Sequence, residues 1–208
     1  MHPAKRFQTD TQAARSIVAQ SPLATIAANG RDGPLVLMAP TVWNRDQAKL
    51  IGHVARSNSF WRELCGLSPM VSAVFRSDDA YVSASAYPSK AEHGRVVPTW
   101  NYIAAEARGR LTFKDDPVDI RASVAALSDH MEAERDIPWA ITDAPDDYIE
   151  RLSKAIVAFE IDVSLLKGVP KLSQDKSEED RAGVVSDLIH HNARAERLTR
   201  EMNLETKA

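Results

Sequence analysis

In one segment of this chain apolar residues recur with a period of two, which is the period of side chains in a β-strand. In residues 155–165, Val157, Phe159, Ile161 and Val163 share one face, and acidic residues lie on the other. That pattern predicts a strand with one buried face. Further strands are predicted at residues 23–28, 35–42, 49–54, 70–75, 80–86 and 102–113, with a polar break at residues 77–79.

Helical spacing alternates with these strands. Asp10 is a predicted N-cap, and Asp116, followed by proline, is typical of a helix start. Helices are predicted in an insertion at about residues 116–153 and in a C-terminal tail at about residues 177–205. Many short strands with such additions predict one domain over residues 1–208, mainly β with helical additions, built as a small barrel.

Composition and charge narrow the function classes. The chain has 208 residues, of which 44% are hydrophobic and 26% charged, as in ordinary globular proteins. No apolar run reaches the roughly 20 residues of a membrane span, and the N-terminus lacks a secretory signal. Cys65 is the one cysteine, so a cytoplasmic location is expected. The net charge of −3 disfavours a dedicated nucleic-acid binder.

The first candidate site is the segment Gly52–Asn58, which follows a predicted strand and precedes a predicted helix. His53, Arg56, Ser57 and Asn58 offer an imidazole, a guanidinium, a hydroxyl and an amide. Together with the free N–H groups of a helix start, these groups can hold a phosphate monoester. The alternative is a polar surface loop in which the serine or asparagine caps the helix.

The second candidate site is the segment Val96–Tyr102, just before a predicted strand. Thr99, Trp100 and Asn101 are its candidate ligand residues, since an indole can stack on a flat ring and an amide can bond the ring edge. The polar loop before it adds Lys90. An aromatic core anchor and a solvated loop are the alternatives for these two segments.

A third candidate site follows the predicted last strand. Lys171 can pair with a phosphate or an acidic neighbour, while Ser173 and Gln174 can bond a ring edge. A plain turn between strand and helix is the alternative. No metal site is predicted, since His130 and Glu134 have helical spacing without a third ligand nearby. No catalytic residues are identified.

Several segments, taken in order, resemble the PaiB family of FMN-binding negative transcriptional regulators. They are GHVARSN (52–58), AYVSASAYPSK (80–90), VVPTWNY (96–102), IPWAITDAPDDYIE (137–150), AIVAFEI (155–161), KLSQ (171–174) and DRAGV (180–184). The chain differs from the family pattern at Ala86, where relatives commonly carry tryptophan, and at Asp175, where asparagine is usual. It also lacks the histidine that relatives tend to carry in the region of Leu37–Pro40.

The resemblance implies a split β-barrel of the pyridoxamine-phosphate-oxidase-like kind, working as a homodimer with FMN at the subunit interface. It implies phosphate binding near Arg56 and Asn58, and ring binding near Trp100 and Asn101. The expected function is a flavin-binding regulator. An FMN-dependent oxidoreductase acting on a small molecule is the alternative, and a binding module without FMN is a third possibility. DNA is a conceivable partner that the net charge does not support, and no membrane partner is expected.

Overall fold

The computed structural model describes residues 4–44, 48–192 and 196–205. Its strands are β1 (Leu23–Asn29), β2 (Pro34–Asn44), β3 (Lys49–Ala55), β4 (Met70–Val82), β5 (Thr99–Lys114) and β6 (Ile156–Lys171). Its helices are α1 (Thr11–Gln20), α2 (Ser59–Leu64), α3 (Ser89–His93), α4 (Pro117–Glu132), α5 (Asp146–Ser153), α6 (Glu178–His191) and α7 (Glu196–Glu205). Short 3-10 helices lie at Lys5–Phe7, Ala84–Ala86 and Ile141–Asp143.

The chain divides into two compact units. The barrel unit comprises Val18–Phe75 and Glu106–Leu166, and the terminal unit comprises Met1–Ile17, Arg76–Ala105 and Lys167–Ala208. The prediction of a single domain over the whole chain stays a prediction. Within the part of the chain that the structure describes, no helix is long and apolar enough to cross a membrane.

The strands form a closed barrel in the order β1-β2-β3-β6-β5-β4, and the barrel unit contains β1, β2, β3 and the larger part of β6. β1 pairs with β2 and β4, and β3 pairs with β2 and β6, all in antiparallel register. Its core contains Ile26, Leu50, Phe75 and Phe159, each with no exposed surface. This barrel with added helices confirms the predicted mainly β fold with helical additions.

A close approach in the barrel explains why β3 carries a glycine. Gly52 is paired with Phe159 of β6, and a Cβ atom at Gly52 would lie 2.5 Å from the Cζ atom of Phe159. The carbonyl oxygen of Gly52 accepts a hydrogen bond of 2.9 Å from the hydroxyl of Ser123 on α4. The glycine therefore makes room for the ring, and its carbonyl anchors the inserted helix to the barrel.

The terminal unit packs helices closely on one another. A Cβ atom at Gly183 of α6 would lie 2.2 Å from the carbonyl oxygen of Ala86, which is itself buried. Thr9 forms an isolated antiparallel bridge with Gly168. A Cβ atom at Gly168 would lie 2.3 Å from the Cγ2 atom of Thr9. Small residues at these positions thus permit backbone contacts that larger side chains would prevent.

Most predicted elements are confirmed. Asp10 caps α1, accepting a hydrogen bond of 2.8 Å from the backbone N–H of Ala13, and Asp116 caps α4 in the same way through Val118. The predicted break at residues 77–79 is wrong, because β4 continues through it to Val82. An ion pair of 3.4 Å between Arg76 and Asp79 spans these polar residues within the strand.

Candidate functional site

Arg56, which lies in the barrel unit between β3 and α2, is bound by protein groups. Its two terminal nitrogens donate to the two carboxylate oxygens of Asp115, one of them over 2.9 Å, and its Nε donates to the carbonyl oxygen of Lys154 over 3.0 Å. This bidentate contact lowers the pKa of Asp115 and raises that of Arg56. A carboxylate therefore occupies the position at which the sequence predicts a phosphate.

The other residues of the β3–α2 segment have varied roles. The side-chain oxygen of Asn58 accepts a hydrogen bond of 2.9 Å from the backbone N–H of Phe60, which confirms the capping interpretation for this residue. Ser57 is exposed. Burial lowers the pKa of His53, and no partner for its Nδ1 is found among the described residues. A neutral imidazole adds no positive charge for an anion.

In the terminal unit, the second and third predicted segments meet. The ammonium group of Lys171 donates to the hydroxyl of Thr99 over 2.6 Å and to the carbonyl oxygen of Trp100 over 2.7 Å. Within the described parts of the chain, no carboxylate forms an ion pair with Lys171. The positive charge is thus positioned by neutral oxygens and is not neutralised by them.

Asn101 and Ser173, which follow Trp100 and Lys171 closely in sequence, form a buried pair. Asn101 has no exposed surface, and its amide and the hydroxyl of Ser173 are joined by hydrogen bonds of 3.0 and 3.1 Å. The amide also lies 3.6 Å from the sulfur of Met202. Ser173 has a φ of 63°, so the pair holds this turn in a left-handed conformation. The geometry gives both residues a positioning role, and their predicted contact with a ring stays a prediction.

Gln174 and Lys90 also bind neighbours in the terminal unit. The side-chain oxygen of Gln174 accepts a hydrogen bond of 2.7 Å from the backbone N–H of Leu172, and its nitrogen donates to the carbonyl oxygen of Pro170. The ammonium group of Lys90 on α3 donates to the hydroxyl of Ser85 over 2.8 Å. The hydrogen bonds of Gln174 therefore stabilise the loop in which it lies. Lys90 is exposed, and its ammonium group contacts a neutral oxygen.

An exposed aromatic pair adjoins Lys171. Trp100 is 52% exposed and Tyr81 is 53% exposed, and their rings meet edge to face with centroids 6.2 Å apart. Sequence reasoning missed Tyr81 as a candidate. Its position between the buried residues Ala80 and Val82 of β4 was the available signal, because alternation turns its ring outward.

Two of the three departures from the family pattern, Ala86 and Asp175, lie in the terminal unit. Ala86 is buried where its carbonyl faces Gly183, as described above. Asp175 lies 3.5 Å from the ammonium group of Lys176 and 3.9 Å from the guanidinium of Arg6. Nearby cations therefore offset the extra negative charge that Asp175 introduces.

These groups fit the chemistry of a flavin mononucleotide. The ammonium groups of Lys171 and Lys90 contact neutral hydroxyls, and an ammonium group can form charge-assisted hydrogen bonds to a phosphate monoester. The exposed Trp100 and Tyr81 offer apolar faces and edges to a flat ring system. Among the described residues, no cluster of histidine, cysteine, aspartate and glutamate has the arrangement of a metal site.

Comparison with known proteins assigns the chain to a family. A family described as "Putative FMN-binding domain" matches residues 1–165. "Protease synthase and sporulation protein PAI 2" of Bacillus subtilis is 26% identical over 191 residues, which cover 90% of this chain and 89% of that protein. An uncharacterized protein of Emericella nidulans is 36% identical over 116 residues, covering 51% of this chain and 46% of the relative. The match thus spans about half the length of the fungal relative.

A solved structure shows the same fold at low identity. The FAD and heme binding protein of Mycobacterium smegmatis superposes with a TM-score of 0.59 over 85% of this chain and 79% of that chain, at 17% identity. The split-barrel fold predicted by the resemblance is thereby confirmed. The family match supports a flavin cofactor.

Proposed function

Because the chain belongs to this FMN-binding family, we propose that it holds FMN in the terminal unit and acts as a dimeric flavin-binding regulator. The single observation that carries the placement is the ammonium group of Lys171, fixed between the hydroxyl of Thr99 and the carbonyl of Trp100. A cation that is already oriented loses little freedom when it binds a phosphate, so its contact is favourable. Lys90 supplies a second charge on the same unit.

The ring of the cofactor would lie against the aromatic pair of Trp100 and Tyr81. Both side chains keep about half of their surface free, and ring contacts of this kind favour flat heteroaromatic ligands. Asn101 and Ser173 would hold the turn that carries Lys171. FMN itself supplies reversible transfer of one or two electrons when bound.

A second copy of the chain is proposed to cover the outer face of β1, β2 and β4. Val36 and Met38 of β2 are 63% and 64% exposed, and Leu23 and Met70 are each 53% exposed. Register places Val36 beside Ala27 and Leu23 beside Pro40, so exposed apolar side chains lie side by side on β1 and β2. Covering such a face removes apolar surface from water, and a two-fold axis makes the contact self-complementary.

The regulatory role rests on the family resemblance and on the name of the Bacillus subtilis relative, which contains the words "protease synthase and sporulation". We place this role in the cytoplasm, in keeping with a single cysteine. The net charge of −3 favours regulation without extensive contact to DNA phosphates.

An FMN-dependent oxidoreductase is the second candidate. The exposure of Trp100 and Tyr81 favours it, since a ring held there stays within reach of a dissolved reductant. Adding NAD(P)H to the flavin-loaded protein under anaerobic conditions separates the two roles. Rapid bleaching of the flavin band at catalytic rates supports the enzyme, and a stable oxidised band supports the regulator.

Flavin titration of a lysine variant tests the site. We expect Lys171→Met to weaken FMN binding about ten- to a hundredfold, as loss of a hydrogen bond to a charged group costs roughly 1.5–3 kcal/mol. Riboflavin, which lacks the phosphate, should bind with nearly unchanged affinity. Flavin fluorescence quenching measures both. Lys176→Met is the matched control, since Lys176 pairs with Asp175 at 3.5 Å.

Equal losses for FMN and riboflavin would indicate damage to the fold or to the ring contacts. No loss for either flavin would place the phosphate away from Lys171. In that case Lys90→Met and Arg56→Met, measured with the same pair of flavins, would locate it.

A further inference from the structure

The C-terminal helix α7 of the terminal unit is short and docks through one face. It has 10 residues, and isolated helices shorter than about 12–15 residues are marginal in water. Among its described side chains, Leu198, Thr199 and Met202 are buried, and the spacing of Leu198 and Met202 places both on the same side of the helix. The helical structure of α7 therefore depends on packing this face against the rest of the terminal unit.

Two polar contacts fix α7 at Met202. The backbone carbonyl of Met202 is one of the last four of the helix, which have no N–H partner within it. This carbonyl accepts a hydrogen bond of 3.0 Å from the guanidinium of Arg181 on α6. The sulfur of Met202 accepts from the side-chain amide of Asn101 over 3.6 Å. One residue thus joins α7 both to α6 and to Asn101, which follows Trp100 in the chain.

Asn101 connects this contact to the proposed flavin site. Its amide and the hydroxyl of Ser173 are joined by hydrogen bonds of 3.0 and 3.1 Å, and the φ of 63° at Ser173 is one that residues other than glycine seldom adopt. Lys171 lies two residues before Ser173, and its ammonium group is bound to the carbonyl of Trp100. With Met202 packed against it, Asn101 has no exposed surface, so water does not compete for its hydrogen bonds to Ser173.

On the basis of the proposed flavin site, we propose that α7 is a latch on that site: docked α7 keeps the turn of Lys171 and Ser173 in its flavin-binding conformation, and bound flavin in turn favours docked α7. Undocking exposes Asn101 to water and frees Ser173 from its left-handed conformation, so Lys171 loses its fixed position. Because such coupling is reciprocal, docking strengthens FMN binding by the same factor by which FMN favours docking. A flavin-binding regulator would thereby convert flavin occupancy into order of its C-terminal helix.

Leu198→Asp in the full chain tests the latch by undocking α7. Leu198 has no exposed surface, and an unpaired carboxylate is too costly to bury there, so the helix should leave its docking site. We expect FMN to bind this variant at least about fivefold more weakly, which is the lower end of typical couplings between sites. Flavin fluorescence quenching measures the affinity. Asn203→Asp is the matched control, because it adds the same charge at an exposed position of α7, and its FMN affinity should stay within about twofold of the parent.

Hydrogen exchange of the α7 amides, followed by mass spectrometry, measures docking independently of flavin affinity. In Leu198→Asp these amides should exchange rapidly, while the barrel strands keep the protection of the parent and show that the variant is folded. In the parent chain, saturating FMN should slow exchange in α7 by the factor by which Leu198→Asp weakens FMN binding. The comparison of the parent with and without FMN requires no variant.

Two results would overturn the latch while leaving the flavin site intact. One is equal FMN affinity of the parent and Leu198→Asp although exchange shows α7 to be undocked in the variant. The other is exchange in α7 of the parent chain that saturating FMN does not slow. Failure of the flavin site itself has a different signature, since the parent would then bind no FMN, or Lys171→Met would bind FMN as tightly as the parent. In that case the latch fails together with the site.

Discussion

At the scale of single residues, Arg56 shows what a motif can and cannot predict. The segment Gly52–Asn58 predicts a guanidinium that binds a phosphate, and its alternative interpretation is a helix cap, which Asn58 provides. The anion in the structure is Asp115, which lies 59 residues further along the chain. Local patterns contain no information on a partner at that distance, so the ion pair could not be predicted from the segment.

Arg56→Met should therefore reduce stability more than flavin binding. Both side chains of the pair are partly exposed, so we expect a loss of at most about 1 kcal/mol in the free energy of unfolding. The ratio of FMN to riboflavin affinity should stay constant. Urea unfolding and the two flavin titrations measure these quantities. Asp115→Asn, which removes the other half of the pair, is the matched control.

A loss confined to FMN in Arg56→Met would assign the phosphate to Arg56, as the motif predicts. In that case Asp115 competes with the cofactor, and Asp115→Asn should strengthen FMN binding.

Glu106 in the barrel unit is a buried carboxylate with strong partners. It is 3% exposed and accepts hydrogen bonds of 2.7 Å from Arg108 and 2.8 Å from Ser72. Burial alone would raise its pKa, but the hydrogen bonds outweigh burial and lower the pKa from 4.5 to about 2. The carboxylate therefore stays ionised in the folded protein at pH values where it takes up a proton in the unfolded chain.

Glu106→Gln should lower the free energy of unfolding by about 1–3 kcal/mol at neutral pH. A pKa that is lower in the folded state stabilises above the unfolded value and loses this effect as pH falls through the folded value. The difference between parent and variant should thus shrink between pH 4.5 and about 2. Urea unfolding across this range measures it.

Glu160→Gln provides a control for that measurement. Glu160 pairs with Lys49 over 2.7 Å with its side chain 21% exposed, so its loss should cost no more than about 1 kcal/mol. A difference for Glu106→Gln that stays constant down to pH 2 would contradict the low pKa.

At the scale of elements, local chemistry predicted most boundaries. Alternation in residues 155–165 indicated β6, and its apolar positions Val157, Phe159 and Ile161 have no exposed surface. The predicted capping residues Asp10 and Asp116 placed the starts of α1 and α4 correctly. These features depend on neighbours within a few residues, which is the range that a sequence pattern covers.

The wrong break in β4 has a different cause. Val71, Ala73 and Phe75 are buried before the polar residues, and Ala80 and Val82 are buried after them. The buried positions change from odd to even numbers across residues 77–79, so alternation fails there although the strand continues. A turn and a change of buried positions look alike in sequence, because both interrupt the apolar pattern.

Asp78→Pro tests the continuity of β4. Proline removes a backbone N–H and is poorly tolerated inside a paired strand, so we expect a loss of more than about 1 kcal/mol in the free energy of unfolding. Asp78→Asn keeps the N–H group and should change stability by less than about 0.5 kcal/mol. Thermal and urea unfolding measure both variants. Equal, small effects would favour the turn that the sequence predicted.

At the scale of the whole molecule, the sequence predicted the fold class but not how the candidate site residues contact one another. The barrel order places β3 beside β6, a pairing of segments about a hundred residues apart that alternation cannot specify. The resemblance supplied both the fold and the segments that carry Thr99, Trp100 and Lys171. Their mutual contact, and the separate pairing of Arg56 in the barrel unit, follow from tertiary packing alone.

The proposed homodimer makes a prediction about association in solution. Light scattering of the parent chain at micromolar concentration should give about twice the chain mass of 22.9 kDa. The double variant Val36→Glu with Met38→Glu places charges on the exposed face of β2 and should give a monomer, because burying unpaired charges in an interface is unfavourable. Its melting temperature should show a folded chain.

Val97→Glu is the matched control for this variant, since Val97 is 74% exposed and belongs to the terminal unit, whereas the proposed interface residues belong to the barrel unit. It should remain a dimer, because a charge on a surface that stays in water costs little. A parent chain that scatters as a monomer would contradict the dimer. A double variant that keeps the doubled mass would show that the two chains meet through another surface. In either case FMN titration of the same samples tells whether flavin binding depends on association.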